Sequence, residues 1–421
     1  MKYFSIIIIA LISASCSSSQ SEKEILKECT LVQEDSILVE QPLYCNESVV
    51  VGAANFEEYL QDLRGKRVGV VGNQSSTIKE THLVDTLISK GVNVVKVFSP
   101  EHGFRGKADA GEKVKDGIDN QTGLPIISLY GSNKKPKSEQ INDVDVLLFD
   151  IQDVGARFYT YISTLNYILE AAAENQKQVI VLDRPNPNGH YVDGPILEDS
   201  QNSFIGMNPI PVVHGMSIGE YALMLKGEAW INKASELDLK VVKCSGWTHK
   251  EFYELPIAPS PNLPNMKSVY LYPTLCFFEG TVVSVGRGTD IPFQCVGHPK
   301  MEVDVLEDLH SFTPAPNEGA KKPKLEGEVC YGYDYSEFDE VELRESAGLD
   351  FEVLCEFYTK LEMESDFFLS NGFFNLLAGN LELKKQIMQG VSTKEIRETW
   401  KIELDEFKSI RAKYLLYEDF D

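Results

Sequence analysis

A glutamate set between a proline and a glycine is the residue most suited to chemistry in this chain. Pro100 fixes the backbone before Glu101, and Gly103 permits a tight turn after it. A carboxylic acid held there can protonate a leaving oxygen if a partly apolar pocket raises its pKa. The bland alternative is a loop glutamate paired with Arg105, and the neighbouring His102 is either a ligand or base, or a loop hydrogen-bonder. Asp150 and Asp153, three apart, can bind a metal, act as a carboxylate pair, or hold Arg157 and Arg184. Tyr159 and Tyr161 offer rings to a sugar face or pack into a core, and His214 contacts ligand or makes a structural hydrogen bond. Further along, Glu279-Gly-Thr281 and Arg287-Gly-Thr-Asp290 form a dense polar stretch. Arg287 can clamp a carboxylate with two parallel N–H donors, or simply pair with Asp290.

These residues belong together only if the intervening elements bring them to one place. Arg67–Gly72, Val92–Phe98, Pro125–Tyr130, Val144–Ile151 and Val179–Leu182 read as strands, with Ile210–Val213 as a sixth. Between them, Leu83, Val84, Leu87 and Ile88 recur at helical spacing and Gly91 closes the segment, while Tyr159–Glu174 reads as an Ala-ending helix. Ser217-Ile-Gly-Glu220 is a capping box opening another helix. Strands alternating with helices predict a Rossmann-like domain with a mostly parallel sheet. In such sheets ligands bind beyond the carboxyl ends of the strands. Those ends carry Asn73, Glu101, Tyr130, Asp150 with Asp153, Asp183-Arg184 and His214, so six ends deliver polar groups to one rim.

After about Trp230 the rhythm becomes irregular and proline-rich, which predicts a smaller α+β domain. Helices are expected over Phe351–Phe357, Leu376–Met388 and Thr393–Tyr414. The expected division is a signal segment over 1–16, a tether over 17–50, the Rossmann-like catalytic domain over 51–232 and the auxiliary domain over 233–421.

Length and composition set outer bounds. A chain of 421 residues, 43% hydrophobic and 25% charged, fits two or three globular domains. Its net charge of −24 repels phosphate backbones, which argues against a nucleic acid partner. Lys2, the apolar run Tyr3–Ala14 and then Ser15-Cys16 read as a signal peptide with a lipoprotein-type cleavage site. Cys16 would then carry the lipid that ties the protein to a membrane of the cell envelope, on the periplasmic side or the outer surface. Cys29 and Cys45 are candidates for a bridge within the tether. The cysteines show no paired zinc spacing, and the chain lacks G-x-x-x-x-G-K-[ST], G-x-G-x-x-G after a strand, G-x-S-x-G and H-E-x-x-H. No nucleotide, metal or other cofactor is expected.

Longer motifs identify a relative. Val70-Val-Gly-Asn-Gln74, Ser99-Pro-Glu-His-Gly-Phe-Arg-Gly106 and Phe149-Asp-Ile-Gln-Asp-Val-Gly-Ala-Arg-Phe-Tyr-Thr-Tyr161 resemble the NamZ-type exo-β-N-acetylmuramidases. So do Asp183-Arg-Pro-Asn-Pro187, His214-Gly-Met216, Pro259-Ser-Pro-Asn-Leu-Pro264, Phe278-Glu-Gly-Thr281 and Val285-Gly-Arg-Gly-Thr-Asp-Ile-Pro-Phe293. The resemblance spans about Gly52 to Tyr417. It implies removal of terminal N-acetylmuramic acid (MurNAc) from the non-reducing end of peptidoglycan fragments, in a cleft between the two domains. It also implies that Glu101 is the catalytic glutamate. Asp153, Glu279 or Asp290 would be base or nucleophile, unless the substrate's own N-acetyl group takes that role. Asn73, His102, Asp150, Tyr159, Tyr161, His214, Asn262 and Asp290 are expected around the sugar, and Arg157 or Arg287 opposite its lactyl carboxylate. Two other readings compete: a non-catalytic glycan-binding surface lipoprotein, and a metal-dependent hydrolase or deacetylase using Asp150, Asp153 and His214.

Overall fold

Seven strands make the central sheet: β1 (Val68–Gly72), β2 (Val94–Ser99), β3 (Gly117–Ile118), β4 (Pro125–Ser128), β5 (Val146–Asp150), β6 (Gln178–Leu182) and β7 (Asp238–Val242). A computed structural model describes residues 49–101, 103–105, 116–301 and 310–420. Expectations for Cys16, Cys29, Cys45 and His102 fall outside the described residues. The strand order is β3-β4-β2-β1-β5-β6-β7, and only the β3–β4 pair is antiparallel. The six parallel strands therefore run third, second, first, fourth, fifth, sixth, the doubly wound Rossmann order.

Both faces of this sheet are covered, which explains the unbroken apolar runs. Along β5, Val146 and Leu148 enter one core with Leu83, Val84 and Leu87 of helix α1 (Leu83–Ser89). Leu147 and Phe149 enter the other, with α2 (Tyr161–Glu174) and α3 (Ile218–Gly227). The capping box expected at Ser217 and Glu220 opens α3.

Two expectations about the sheet are corrected. Ile210–Val213 is not a sheet strand; Val213 makes isolated bridges to Ala156 and Asp193. The sixth parallel strand is β7, whose Asp238 and Lys240 stand at the sheet edge and break the apolar pattern. β7 lies beyond residue 232, so the sheet reaches further along the chain than the expected catalytic domain. At the other end, Val50 pairs with Ser245, so this residue of the segment expected to be a tether joins the fold.

The second half is α+β. Its small antiparallel sheet, in the order β8-β10-β9, contains β8 (Cys295–His298), β9 (His310–Phe312) and β10 (Cys330–Asp334). Its helices include α4 (Met266–Leu275), α5 (Glu340–Glu345), α6 (Glu352–Leu361), α7 (Phe373–Ala378), α8 (Glu382–Met388), α9 (Thr393–Glu398) and α10 (Lys401–Arg411). The single helix expected over Leu376–Met388 is broken at Gly379, which has φ 77°. The one expected over Thr393–Tyr414 is broken at Thr399 and Trp400. Helix α4 contains Pro273, which cannot donate to the Val269 carbonyl one turn back. The Asn188 side chain supplies that donor at 3.1 Å and also reaches Val154 O at 2.8 Å. The loop after β6 is thereby pinned to the helix that supplies one wall of the site. All described residues belong to one compact unit.

Candidate active site

In the observed strand order the chain leaves β1 and β5 in opposite directions, so a crevice forms over their carboxyl ends. Gly72 pairs with Asp150 there. Asn73 folds the end of β1 into a turn: its Oδ1 accepts from Ser75 N at 2.9 Å and Ser75 Oγ at 2.6 Å. Ser75 Oγ in turn accepts from Gln152 N at 3.0 Å, and Ser76 Oγ donates to Asp150 O, so the two strand ends are laced together. One strand over, Gly103 N donates to Pro100 O at 3.2 Å with φ 78° at Gly103, a tight turn that carries Glu101.

Glu101 lines a hollow of about 170 Å3 between the two halves of the molecule. Tyr159, Thr160 and Tyr161 share it from the first half; Asn262, Tyr272, Glu279 and Arg287 share it from the second. The Thr160 hydroxyl donates to Glu101 Oε2 at 3.3 Å. Tyr161 abuts the glutamate: burial first, then the charge on Glu101, pushes its phenol above the ordinary range. Tyr159 and Tyr161 meet edge to face at 4.9 Å, and Tyr272 packs on Tyr159 at 5.7 Å, which builds an aromatic wall. Tyr159 OH donates to Pro259 O at 2.9 Å, so this phenol is tied down and the ring is fixed. Opposite, Arg287 Nη1 donates to Glu279 Oε2 at 3.0 Å, and Arg287 Nη2 approaches Gly319 O at 3.4 Å. Asn262 Nδ2 donates to the same Gly319 carbonyl at 2.6 Å.

Of the residues expected at the site, Glu101, Tyr159, Tyr161, Asn262, Glu279 and Arg287 converge on the hollow. The other expected residues that are described do not line it. Asp150 is fully buried in a two-point pair with Arg184, Nε to Oδ1 at 2.6 Å and Nη2 to Oδ2 at 2.9 Å, so it is a structural anchor and not a ligand. Arg157 is also fully buried; it donates to the carbonyls of Pro195, Ile210, Leu377 and Ala378 at 2.8–2.9 Å. Burial lowers its pKa to about 9, and it cannot meet a substrate carboxylate. Asp290 is exposed and away from the hollow, and Arg287 pairs with Glu279 in preference to it. Asn73, Asp153 and His214 are buried away from the hollow. Asp153 Oδ2 accepts from Gly155 N at 2.7 Å and stands 3.7 Å from His214 Nε2. Asn73 Nδ2, Asp153 Oδ1 and His214 Nε2 have no hydrogen-bond partner among the described residues. Arg105, the alternative partner for Glu101, engages Asp85 at 3.2 Å and Asp119 at 2.8 Å. Among the described residues no three His, Cys, Asp or Glu side chains converge as a metal site, and Asp150 is committed to Arg184, so the proposed set of Asp150, Asp153 and His214 does not assemble.

Thr160, Tyr272 and Lys324 were not singled out from the sequence. Thr160 sits between the two expected tyrosines, so the motif carried its signal. Tyr272 and Lys324 have no local signature. A larger hollow, about 390 Å3, opens on the other flank of α4 beside Tyr270, Leu271 and Phe338. Its carboxylates, Glu342 and Asp350, come from neither the strand ends nor the Glu279 turn.

A carboxylic acid that shares one hollow with an aromatic wall and a second carboxylate is the equipment of a glycosidase with a two-lobed α/β fold. Residues 68–267 match the N-terminal domain of exo-β-N-acetylmuramidase NamZ, and residues 270–417 match its C-terminal domain. The peptidoglycan β-N-acetylmuramidase NamZ of Bacillus subtilis (strain 168) is 40% identical over 385 residues, covering 86% of this chain and 89% of that protein. Crystal structures of two DUF1343 family proteins from Bacteroides fragilis NCTC 9343 superpose with TM-scores of 0.81 and 0.77 at 44% and 32% identity. Each alignment covers 88% of this chain and 99% of the other. The chain belongs to the exo-β-N-acetylmuramidase NamZ family of glycosidases.

Proposed function

We propose that this protein releases terminal MurNAc from the non-reducing end of peptidoglycan-derived saccharides, with Glu101 as the general acid. The observation that carries this reading is Glu101 at a strand end, in one hollow with the Glu279–Arg287 pair. As the glycosidic bond breaks, the Glu101 proton passes to the departing oxygen, and Thr160 steadies the carboxyl group through Oε2. The electron-deficient anomeric carbon is met from the opposite side by water or a nucleophile. Glu279 is the carboxylate suited to that role, as base or nucleophile, with the substrate's N-acetyl oxygen as the other candidate. Arg287, which lines the hollow, is the guanidinium assigned to the lactyl carboxylate that distinguishes MurNAc from N-acetylglucosamine (GlcNAc). Tyr159, Tyr161 and Tyr272 supply apolar faces to the pyranose.

The test is a pair of disaccharides, MurNAc-GlcNAc and GlcNAc-MurNAc, given to wild type and to Glu101→Gln. Wild type is expected to cleave only the first, and the variant neither. Cleavage of GlcNAc-MurNAc, or wild-type turnover by the variant, overturns the proposal.

The signal segment supports a second part of the reading: Cys16 becomes the lipidated first residue, and the following polar stretch tethers the enzyme to a membrane of the cell envelope. Cys16→Ser is expected to move the protein from the membrane to the soluble fraction. Unchanged membrane recovery would remove the anchor from the account.

A further inference from the structure

Three backbone carbonyls converge on the ammonium of Lys324: Phe278 O at 3.0 Å, Thr281 O at 2.6 Å and Val283 O at 2.9 Å. Phe278 lies in the 3-10 turn Cys276–Gly280, Thr281 and Val283 just follow it, and Glu279 is in the turn itself. An ammonium has three hydrogens, so three carbonyls account for all of them and none is left for a substrate. The stem of Lys324 reaches the surface, but its head is enclosed beside Glu279, Arg287 and Cys276. The loop that bears Lys324 also offers Gly319 O to Asn262 and Arg287. Three lining residues of the hollow are therefore braced by one loop.

We infer that Lys324 is a positioning residue: it clamps the turn bearing Glu279, and through the Glu279–Arg287 pair it sets the polar wall of the hollow. This rests on the proposed glycosidase reading of that hollow. The clamp is also sensitive to alkali. Burial, opposed by the charge on Glu279 and assisted by that on Arg287, lowers the ammonium pKa from 10.5 to about 8. A neutral amine has two hydrogens for three carbonyls, so one carbonyl then faces a lone pair and the turn relaxes. Between pH about 8 and 10.5 the unfolded chain holds the extra proton, so this group's contribution to stability rises with pH. Activity declines in a window where Lys324 does not weaken the fold, a combination that a purely structural lysine would not give.

The experiment compares wild type, Lys324→Met, Glu279→Gln and the double variant on a chromogenic MurNAc glycoside, with melting temperatures recorded alongside. Inactive wild type would overturn the glycosidase reading itself. With active wild type, Lys324→Met is expected to lower kcat/KM about tenfold, the scale of one or two buried carbonyls left unpaired. Wild type is expected to show an alkaline decline with a midpoint of about 8, which the variant lacks. In the Glu279→Gln background the loss from Lys324→Met should shrink below about twofold, because the two act as one unit. A full, additive tenfold loss in that background would assign Lys324 to the scaffold alone and overturn the inference. Unchanged kcat/KM with an unchanged alkaline limb would overturn it too. If Lys324→Met fails to fold, the wild-type profile decides: activity level to pH 9.5 without the decline refutes the clamp.

Discussion

Two arginine–carboxylate pairs stand at the same end of the molecule and are built for opposite work. Asp150–Arg184, in the floor, is sealed: both partners are fully or nearly buried, and Arg184 Nη2 also donates to Thr77 O at 2.9 Å. Glu279–Arg287, in the wall, is joined at 3.0 Å, and both side chains are 22% exposed. The chemistry of the pairs is the same. What separates an anchor from a candidate binding group is whether a solute can reach it.

This contrast predicts that substitutions on the open side change turnover with little effect on folding, and that those on the closed side do the reverse. The largest effect is expected from Glu101→Gln, which should lower kcat at least about a thousandfold, within the range of general acid catalysis, while the melting temperature stays put. A large drop in melting temperature would put Glu101 on the closed side. Next is Arg184→Met, which strands Asp150 as a buried unpaired charge and should cost roughly 3–5 kcal/mol in denaturant unfolding. A cost under about 1 kcal/mol would mean the floor is not sealed as described.

Asp183 tests the closed side differently, because its partners are hydroxyls and backbone N–H groups: Ser217 Oγ at 2.7 Å, Tyr417 OH at 2.6 Å, Gly219 N and Arg184 N. Burial raises its pKa from 3.8 to about 6 against the opposing pull of Ser217 and Tyr417. A carboxyl group raised on folding contributes stability that is complete below pH about 4 and lost as pH climbs through about 6. That loss should be roughly 2–3 kcal/mol, and Asp183→Asn should flatten it in urea titrations across this window. The smallest expected effect is that of Arg287→Met, about a tenfold rise in KM for MurNAc glycosides with the melting temperature within a degree or two. An equal rise for a GlcNAc glycoside would show that Arg287 does not read the lactyl carboxylate.

How far the sequence could be read follows the same division between local and distant partners. β5 was legible because burial on both faces demands a continuous apolar run. β7 was not, because an edge strand tolerates Asp238 and Lys240, whereas Ile210–Val213 looked like a strand and found only isolated bridges. Glu101 was legible because its position follows from strand ends and turn residues alone. Arg157 misled because the four carbonyls that satisfy it come from residues 195, 210, 377 and 378, which no spacing rule connects to it. Lys324 was missed for the same reason, since its role depends on carbonyls some forty residues earlier.

The guanidinium of Arg157 has a mechanical consequence. Two of its bonds run to the first half of the chain and two to the second, and Gly379 lies so close that a Cβ there would sit 2.4 Å from Nη2. A rivet of this kind resists clamshell gaping, so saccharide must thread into a gap that already exists, through side-chain adjustments at the rim. It also couples the fates of the two family modules: heat or urea should melt them in a single cooperative step, and neither should persist as a folded remnant after the other has gone.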